Sequence, residues 1–314
     1  MEFIKLTDSA FTVPNVATIG FFDGVHRGHR FLIDQVKQYA AERGLASLLI
    51  TFGMHPRQVM QADYQPRLLS TPEEKCELLA STGADYCAVL DFTPELSQYS
   101  AYEFMEKVLK DKLSVNTLMI GYDHRFGHDR KDGFADYVRY GQMLGIQVVQ
   151  ARGLEVKDIP VSSSVTRAFL SEGEVEMAAL CLSVPYSISG RIVTGFQEGR
   201  ELGFPTANLS LADARKLVPK QGVYAVRVTD LDQPDKHYAG MLNIGWRPTM
   251  EEKMDHPAIE VHLLHYDGNL YGHQLKLEFI KRLRDERKFR SRGDLVRQLK
   301  ADADCVEQMS DKIL

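Results

Sequence analysis

The chain has 314 residues, of which 44% are apolar and 26% charged, and this composition predicts a globular protein long enough for two domains. Its formal charge of −5 provides no basic footprint, which argues against nucleic acid as a partner. The four cysteines are scattered without C-x-x-C spacing, which argues against a disulfide framework or structural zinc and favours a reducing compartment. With no secretory segment and no apolar run of membrane-spanning length, we expect a cytoplasmic enzyme without a membrane partner.

In the first half, short apolar runs alternate with amphipathic stretches. Strands are predicted at residues 16–20, 45–52, 86–92, 117–120 and 146–150. Helices are predicted at residues 28–43, from Thr71 to Gly83, after Ser100 and at residues 134–144. This strand–helix alternation predicts an α/β domain with a parallel sheet that is covered by helices on both faces.

The pattern changes near Val184, where strand-like runs joined by turn signals begin. These runs are residues 187–194, 222–229, 237–244, 259–265 and 270–280. The last two flank residues 266–269, which predict a hairpin turn. With a final helix after Ser291, the second half is predicted to be an antiparallel β-barrel with a terminal helix. A helix at 171–183 would link the halves, so we expect domains at 1–183 and 184–314.

The segment at residues 20–29, G-F-F-D-G-V-H-R-G-H, follows a predicted strand and opens a predicted helix. A helix N-terminus offers free N–H groups to an anion, and Gly28 lets a phosphate approach the backbone. His26 and His29 would donate hydrogen bonds to a phosphate that gains charge as pyrophosphate leaves. Taken alone, the two histidines could be a chance pair or metal ligands, although no third ligand lies at a zinc-like spacing.

The segment at residues 199–208, G-R-E-L-G-F-P-T-A-N, indicates a second phosphate site. The chain contains neither a G-x-x-x-x-G-K-[ST] nor a G-x-G-x-x-G sequence, so a P-loop kinase and a dinucleotide binder are both unsupported. The hydroxyl of Thr206 and the amide oxygen of Asn208 are hard ligands suited to Mg²⁺ with ATP. For the segment alone, the alternative is a Gly/Pro-rich turn between strands.

With these two segments, the chain resembles the bacterial bifunctional riboflavin kinase/FMN adenylyltransferases over almost its full length. Its N-terminal half is similar to the Rossmann-like H-x-G-H nucleotidyltransferases. Further matching segments are residues 51–56, 121–127 and 162–167 in the first half, and 190–193, 243–249 and 282–289 in the second. His124 stands where the family usually has an aromatic residue, and Ser164 where threonine is common.

The resemblance implies roles for particular residues. His26, His29 and Glu260 would be catalytic, with Glu260 as the base of the kinase. An adenylyltransferase pocket for ATP and FMN would include Gly20, Phe21, Asp23, Gly24, Asp123, Ser163, Ser164 and Arg167. The kinase would bind ATP through Gly199, Arg200, Gly203, Pro205, Thr206 and Asn208, and flavin through Arg284, Glu286 and Phe289. Thr206 and Asn208 would hold the metal.

The implied activity is phosphorylation of riboflavin to FMN followed by adenylylation of FMN to FAD. Its small-molecule substrates would be riboflavin, FMN and ATP with Mg²⁺, without a nucleic-acid or membrane partner, in a monomer or weak homo-oligomer. Three other classes remain open from the residues: a monofunctional nucleotidyltransferase with a barrel appendage, a fragment of a class I aminoacyl-tRNA synthetase, and a non-catalytic flavin sensor. The acidic charge and the lack of a K-M-S-K-S-like loop argue against the synthetase.

Overall fold

The chain forms two compact units, Met1–Ser162 and Ser163–Leu314. The structure is a computed structural model that describes residues 1–4, 10–54, 67–121, 124–154, 161–194, 198–246 and 257–314. Within these ranges, no helix has both the length and the apolar character that a membrane span requires.

The first unit contains a six-stranded sheet in which every pair of neighbouring strands is parallel. The strands are β1 (Glu2–Ile4), β2 (Asn15–Ile19), β3 (Ala46–Phe52), β4 (Tyr86–Leu90), β5 (Val115–Ile120) and β6 (Gln147–Gln150). Their order is β1-β4-β3-β2-β5-β6. The chain builds outward from β2 through β3 and β4, and then crosses to the other side to form β5 and β6. The gap between β2 and β5 is therefore the switch point of the sheet, where open α/β folds bind ligands at the carboxyl ends of the strands.

Helices cover both faces of this sheet, as the sequence predicts. They are α1 (Arg27–Ala41), α2 (Pro72–Ala80), α3 (Pro94–Ser97), α4 (Ala101–Phe104), which continues as the π-helical segment Met105–Lys110, and α5 (Phe134–Leu144). On one face, Ile33 of α1 and Leu79 of α2 pack with Leu49 of β3. On the other face, Met105 and Tyr137 pack with the core that includes Leu48.

Two helices of this unit begin where the capping signals predict. Thr71 accepts a hydrogen bond from the N–H of Glu74, whose carboxylate accepts one from the N–H of Thr71. Ser100 and Glu103 form the same reciprocal pair. Such boxes satisfy amides at the helix start that have no partner within the helix.

The second unit contains a closed antiparallel barrel with the strand order β10-β11-β8-β7-β12-β9. Its strands are β7 (Ser187–Val193), β8 (Ala207–Leu211), β9 (Gly222–Asp230), β10 (His237–Gly245), β11 (Ala258–Leu263) and β12 (Gln274–Arg284). Its helices are α6 (Ser163–Glu172), α7 (Val175–Leu182), α8 (Glu198–Glu201), α9 (Arg292–Glu307) and α10 (Ser310–Ile313). Val306 and Ile313 pack with Ala225, Ala239 and Met241, so the terminal helices cover the strands β9 and β10.

One expectation for the second half is wrong, and another holds with different bounds. The predicted hairpin around residues 266–269 does not form, because β8 and β7 lie between β11 and β12 in the barrel. The predicted linking helix at 171–183 forms as α7, but it begins only at Val175, because α6 ends at Glu172 and the chain turns at Gly173. Gly173 has a φ of +82°, and a Cβ atom there would lie 2.5 Å from Nε of Arg282. A left-handed turn packed this closely requires glycine and ends the first helix.

Candidate active sites

The histidine loop, residues 20–29, leaves the carboxyl end of β2 at the switch point of the sheet. The N–H of Gly20 donates to the carbonyl of Ile50 at 3.0 Å, and the hydroxyl of Thr51 donates to the carbonyl of Phe21 at 3.1 Å. The loop then turns through the left-handed Phe22, with a φ of +55°, and a short 3-10 helix, Asp23–Val25. Left-handed backbone is uncommon for non-glycine residues, so contacts from outside must hold this loop.

Those contacts come from the segment that precedes α2. The buried carboxylate of Asp23 accepts hydrogen bonds from the N–H of Leu69 and the N–H of Ser70, at 3.0 Å each. The hydroxyl of Ser70 also donates to Asp23 and accepts from the N–H of Gly24. In this structure Asp23 and Gly24 therefore anchor the loop, and Ser70 is a supporting residue that sequence reasoning missed.

His26 and His29 are brought together at the start of α1. His26 is the N-cap, and its Nδ1 accepts a hydrogen bond from the N–H of His29 at 3.3 Å. Because Nδ1 accepts, the proton of a neutral His26 ring lies on Nε2. The two rings stack with their centroids 3.6 Å apart and their planes 19° apart. This arrangement aims two imidazoles and a helix N-terminus at the switch point, which suits an incoming phosphate.

The environment of His29 keeps its ring neutral. Burial of the ring lowers its pKa well below 6.5, and the nearby His26 and His124 lower it further. The ring also meets the buried Phe22 edge to face, at 5.1 Å between centroids, and its buried Nδ1 has no hydrogen-bond partner among the described residues. His124 follows β5, so the electrostatic effect indicates that the loops after β2 and β5 converge at the switch point.

The other residues predicted for this pocket lie elsewhere in the chain or outside the described ranges. Asp123 lies outside the described residues, as do the last two residues of the matching segment 51–56. Ser163 and Ser164 begin α6, and Arg167 follows one turn later on the same side as Ser163. These three residues belong to the second compact unit, and their part in the adenylyltransferase pocket stays a prediction.

The second predicted phosphate segment forms a tight loop that leads into β8. The carbonyl of Gly199 in α8 accepts from the N–H of Leu202 and, at 2.8 Å, from the N–H of Phe204. Gly203 is left-handed, with a φ of +80°. The side chain of Arg200 lies outside the described residues. Nδ1 of His262 in β11 lies 2.8 Å from the carbonyl oxygen of Pro205, so this histidine connects the loop to the neighbouring strand.

Three polar side chains from adjacent strands form a row, here called the polar row. In the register of the barrel, Asn208 of β8 faces Glu260 of β11, and Glu260 faces Asn243 of β10. All three are half-buried, and they lie opposite the buried face of Ile259 and Val261. Facing residues on neighbouring strands have Cβ atoms about 5 Å apart, so the predicted base and one predicted metal ligand are neighbours.

Oxygen ligands for a cation are grouped at the row. Thr206 and Asn208 are two residues apart where β8 begins, which directs both side chains to the same side of the strand. Both are half-buried, and Asn208 faces Glu260 across the strand pair. A hydroxyl, an amide oxygen and a carboxylate fit the preference of Mg²⁺ for hard oxygen ligands.

One residue predicted for flavin binding, Glu286, lies at one end of this row. Glu286 packs against Gly245, where a Cβ atom would lie 2.0 Å from its Oε1. The Nδ2 atom of Asn243 lies 3.5 Å from the same oxygen, which makes Asn243 a contact between Glu286 and the row. Trp246, the single tryptophan of the chain, follows β10 with half of its surface exposed.

Arg284 and Phe289 take different positions from Glu286. The guanidinium of Arg284 forms a two-pronged ion pair with the buried Asp302 of α9, with its shortest distance 2.7 Å. Phe289 lies beside the guanidinium groups of Arg284 and Arg287 and lines an open cavity of about 440 Å³. Arg284 thus joins β12 to α9, while Phe289 offers an aromatic side chain to this cavity.

Models of two enzyme families match the chain in succession. The FAD synthetase model matches residues 9–165, and the riboflavin kinase model matches residues 182–310. The protein is thus a two-part transferase, an α/β nucleotidyltransferase followed by a flavin kinase barrel. The chain belongs to the family of bifunctional riboflavin kinase/FMN adenylyltransferases. It phosphorylates riboflavin to FMN and adenylylates FMN to FAD.

Curated relatives with this bifunctional name match nearly the whole chain. The enzyme of Pseudomonas fluorescens is 36% identical over 94% of this chain and 93% of its own length. That of Bacillus subtilis is 35% identical over 92% of this chain and 90% of its own length. A solved structure named as a macrolide-efflux protein from Streptococcus pneumoniae superposes with a TM-score of 0.86 and is 29% identical, covering 97% of this chain and 98% of its own.

Proposed function

We propose that the two reactions take place at two separate centres, the histidine loop and the polar row. FMN adenylylation is assigned to the histidine loop, and riboflavin phosphorylation to the polar row. The observation that carries the first assignment is the stacked pair of His26 and His29 at a helix N-terminus on the switch point. The register of Asn208, Glu260 and Asn243 supports the second.

At the histidine loop, a phosphate oxygen of FMN attacks the α-phosphorus of ATP, and pyrophosphate leaves. FMN already carries its negative charge, so this step needs no protein nucleophile. Nε2–H of His26 and the neutral ring of His29 donate hydrogen bonds to the oxygens that gain charge, together with the first amides of α1. Ser163, Ser164 and Arg167 are assigned to the ATP phosphates, where arginine binds two oxygens at once.

At the polar row, the carboxylate of Glu260 accepts the proton of the 5′-hydroxyl of riboflavin. The hydroxyl oxygen then forms a bond to the γ-phosphorus of ATP, and ADP leaves. Thr206 and Asn208 would hold Mg²⁺, which neutralises phosphate charge when it is bound. Asn243 and Glu286 would orient the flavin side of this centre, because they contact each other beside Glu260.

We also propose a cellular location, a substrate class and an oligomeric state. The four cysteines are free in the structure, which supports a reducing, cytoplasmic location. The net charge of −5 supports substrates that are small molecules and no nucleic-acid partner. We expect a monomer or weak homo-oligomer without membrane association. We place the boundary between the adenylyltransferase domain and the kinase domain between residues 183 and 184, although α6 and α7 belong to the second compact unit.

Macrolide efflux, the activity in the name of the Streptococcus pneumoniae structure, is a competing function. For this chain, the two matching family models support flavin chemistry instead. The deciding experiment is an incubation of purified protein with riboflavin, ATP and Mg²⁺, followed by chromatography over time. FMN should appear first and FAD should follow. Omitting Mg²⁺ and adding a chelator should stop FMN formation, and unchanged FMN formation would contradict the metal assignment.

A further inference from the structure

Lys75 of α2 is a buried cation that neither proposed reaction uses. Its side chain is 2% exposed, which is rare for lysine because burial removes the water that solvates the ammonium group. Burial lowers its pKa to about 8, although the electrostatic effects of Asp23, Cys76 and Cys87 act in the opposite direction. These are the ionisable groups that face it, from the histidine loop, from α2 itself and from β4. Perturbed groups of this kind often lie at functional sites.

The contacts of Lys75 join the ends of two neighbouring strands. Its Nζ donates to the carbonyl oxygen of Phe52, the last residue of β3, at 2.6 Å. The same Nζ lies 4.1 Å from the ring centroid of Phe21, which follows β2 in the histidine loop. A cation over an aromatic face is attracted by the electrons of the ring, and more strongly where water is excluded. One ammonium group therefore fixes Phe21 relative to β3.

Phe21 is directly linked to the reactive histidines. The next residue, Phe22, has a left-handed backbone, and its ring packs edge to face against His29. A shift of Phe21 would therefore move the surface on which His29 rests. Val25 is also left-handed, with a φ of +41°, a strained conformation for a β-branched residue. Such a loop keeps its shape only if its surroundings hold it.

We propose that Lys75 is a positioning residue of the adenylyl-transfer centre, whose ammonium group holds Phe21 and Phe22 so that His29 faces the phosphates. The inference rests on the proposed assignment of FMN adenylylation to His26 and His29. Lys75 itself touches no reacting atom. The effect should therefore be confined to FAD formation and should leave riboflavin phosphorylation unchanged.

Because Lys75 is proposed to act through its charge, its effect on FAD formation should depend on pH. Only the protonated ammonium attracts the ring of Phe21 and the carboxylate of Asp23, although the neutral amine still donates to Phe52. The hold on the loop should weaken as the pH rises through about 8. A role in packing alone would show no such dependence, because a neutral lysine fills the same volume.

The test compares three variants in the full-length protein. Lys75→Met removes the charge at similar volume, and Lys75→Arg keeps a charge at high pH. Lys37→Met is the matched control, because Nζ of Lys37 also donates to a backbone carbonyl at 2.6 Å, that of Thr82, away from the histidine loop. FAD formation from FMN and FMN formation from riboflavin are each measured between pH 6.5 and 9.5, together with the melting temperature.

At pH 7 we expect Lys75→Met to lower kcat/KM for FAD formation about 10- to 100-fold, with a melting temperature no lower than wild type. The ratio of wild-type to Lys75→Met activity should approach one as the pH rises past 8. Lys75→Arg should recover activity and keep it at high pH, and Lys37→Met should match wild type.

If the ratio of wild-type to Lys75→Met activity in FAD formation stays constant between pH 6.5 and 9.5, the proposal is wrong. This result would decide the question even if the Lys75→Arg variant is inactive because arginine is too large for the site. Wild-type FAD formation in Lys75→Met, or an equal loss of both reactions, would also overturn the proposal. The His29→Ala variant separates this inference from the assignment beneath it. If His29→Ala still makes FAD, the assignment itself fails. If His29→Ala is inactive and Lys75→Met is normal, only the role of Lys75 fails.

Discussion

The two centres are built in opposite ways. The histidine loop takes its reactive residues from ten consecutive positions, and its left-handed backbone is held by Asp23, Ser70 and Lys75. The polar row takes Asn208, Glu260 and Asn243 from three strands, and the ladder of the barrel alone sets their spacing. A strained loop of consecutive residues thus needs stabilising contacts from other segments of the chain. A row of side chains on paired strands is as rigid as the sheet that carries it.

This difference predicts where each centre is vulnerable. The loop should be sensitive to substitutions in its supporting residues, because its backbone is strained. The row should tolerate changes around it and respond mainly to loss of its own side chains. Three substitutions and one change of pH test whether the two centres work independently of each other.

His29→Ala should abolish FAD formation and leave FMN formation largely intact. Removing one preorganised hydrogen-bond donor from a transition state lowers kcat by about 10²–10³, and loss of the stacked ring also disturbs His26. Chromatography of FMN and FAD over time measures both reactions in one sample. His265→Ala, an exposed histidine paired with Glu307, is the control. Equal loss of both products in His29→Ala would contradict the two-centre assignment.

Glu260→Ala should have the reverse effect. Losing a general base lowers the rate by about 10²–10⁴, so FMN formation from riboflavin should nearly stop while FAD formation from supplied FMN continues. Glu278→Ala is a suitable control, because Glu278 lies on β12 of the same barrel and pairs with Arg227 and Lys276. Normal riboflavin phosphorylation in Glu260→Ala would remove Glu260 from the mechanism.

Thr206→Ala should weaken the dependence on metal rather than abolish activity. With one oxygen ligand lost, the Mg²⁺ concentration for half-maximal FMN formation should rise roughly tenfold, and excess Mg²⁺ should restore the rate. Ser210→Ala, an exposed hydroxyl further along β8, should leave the Mg²⁺ dependence unchanged. A lower rate that added Mg²⁺ does not restore would contradict metal binding by Thr206.

The smallest effect is expected from mild acid. The pKa of His29 lies well below 6.5, so its neutral form, the one that the mechanism uses, should persist as the pH falls from 7.5 to 6.5. Because the pKa of His29 is lower in the folded than in the unfolded protein, the unfolded chain takes up the proton first as the pH falls below about 6.5. The contribution of His29 to stability is therefore present above this pH and is lost as the pH falls towards the folded pKa. NMR titration of the ring protons, assigned with His29→Ala, checks this. A midpoint near 6.5 would contradict it.

Local signals in the sequence predicted much of the fold. The caps at Thr71, Ser100 and Ser291 mark three helix starts that the structure contains, because capping depends on residues within one turn. Pairing between distant strands was less predictable. The hairpin at 266–269 fails although its turn residues are favourable, since closure of the barrel gives β11 and β12 other partners. Strand β8 was missed because the glycines and proline before it indicate a turn.

In the candidate sites, too, local features could be predicted from the sequence, and features that depend on strand pairing could not. His26 and His29 are three positions apart in the sequence, and their position after a strand and before a helix indicates a phosphate site. The pairing of Glu260 with Asn208 and Asn243 depends on register, which no local pattern specifies. Lys75 was missed because a lysine in a helix is ordinarily exposed. One feature of the sequence does indicate that Lys75 is buried: it stands four residues before the buried Leu79, on the same face of α2.

Trp246 gives one half of this protein an optical label of its own. The chain has a single tryptophan, and it stands three residues after Asn243 at the end of β10, half exposed to solvent. Its emission therefore originates in the second unit alone, beside the polar row. Flavins absorb where tryptophan emits, so a flavin that settles near this row should quench the signal by energy transfer. The occupancy of the kinase centre could then be followed in the unmodified chain by fluorescence.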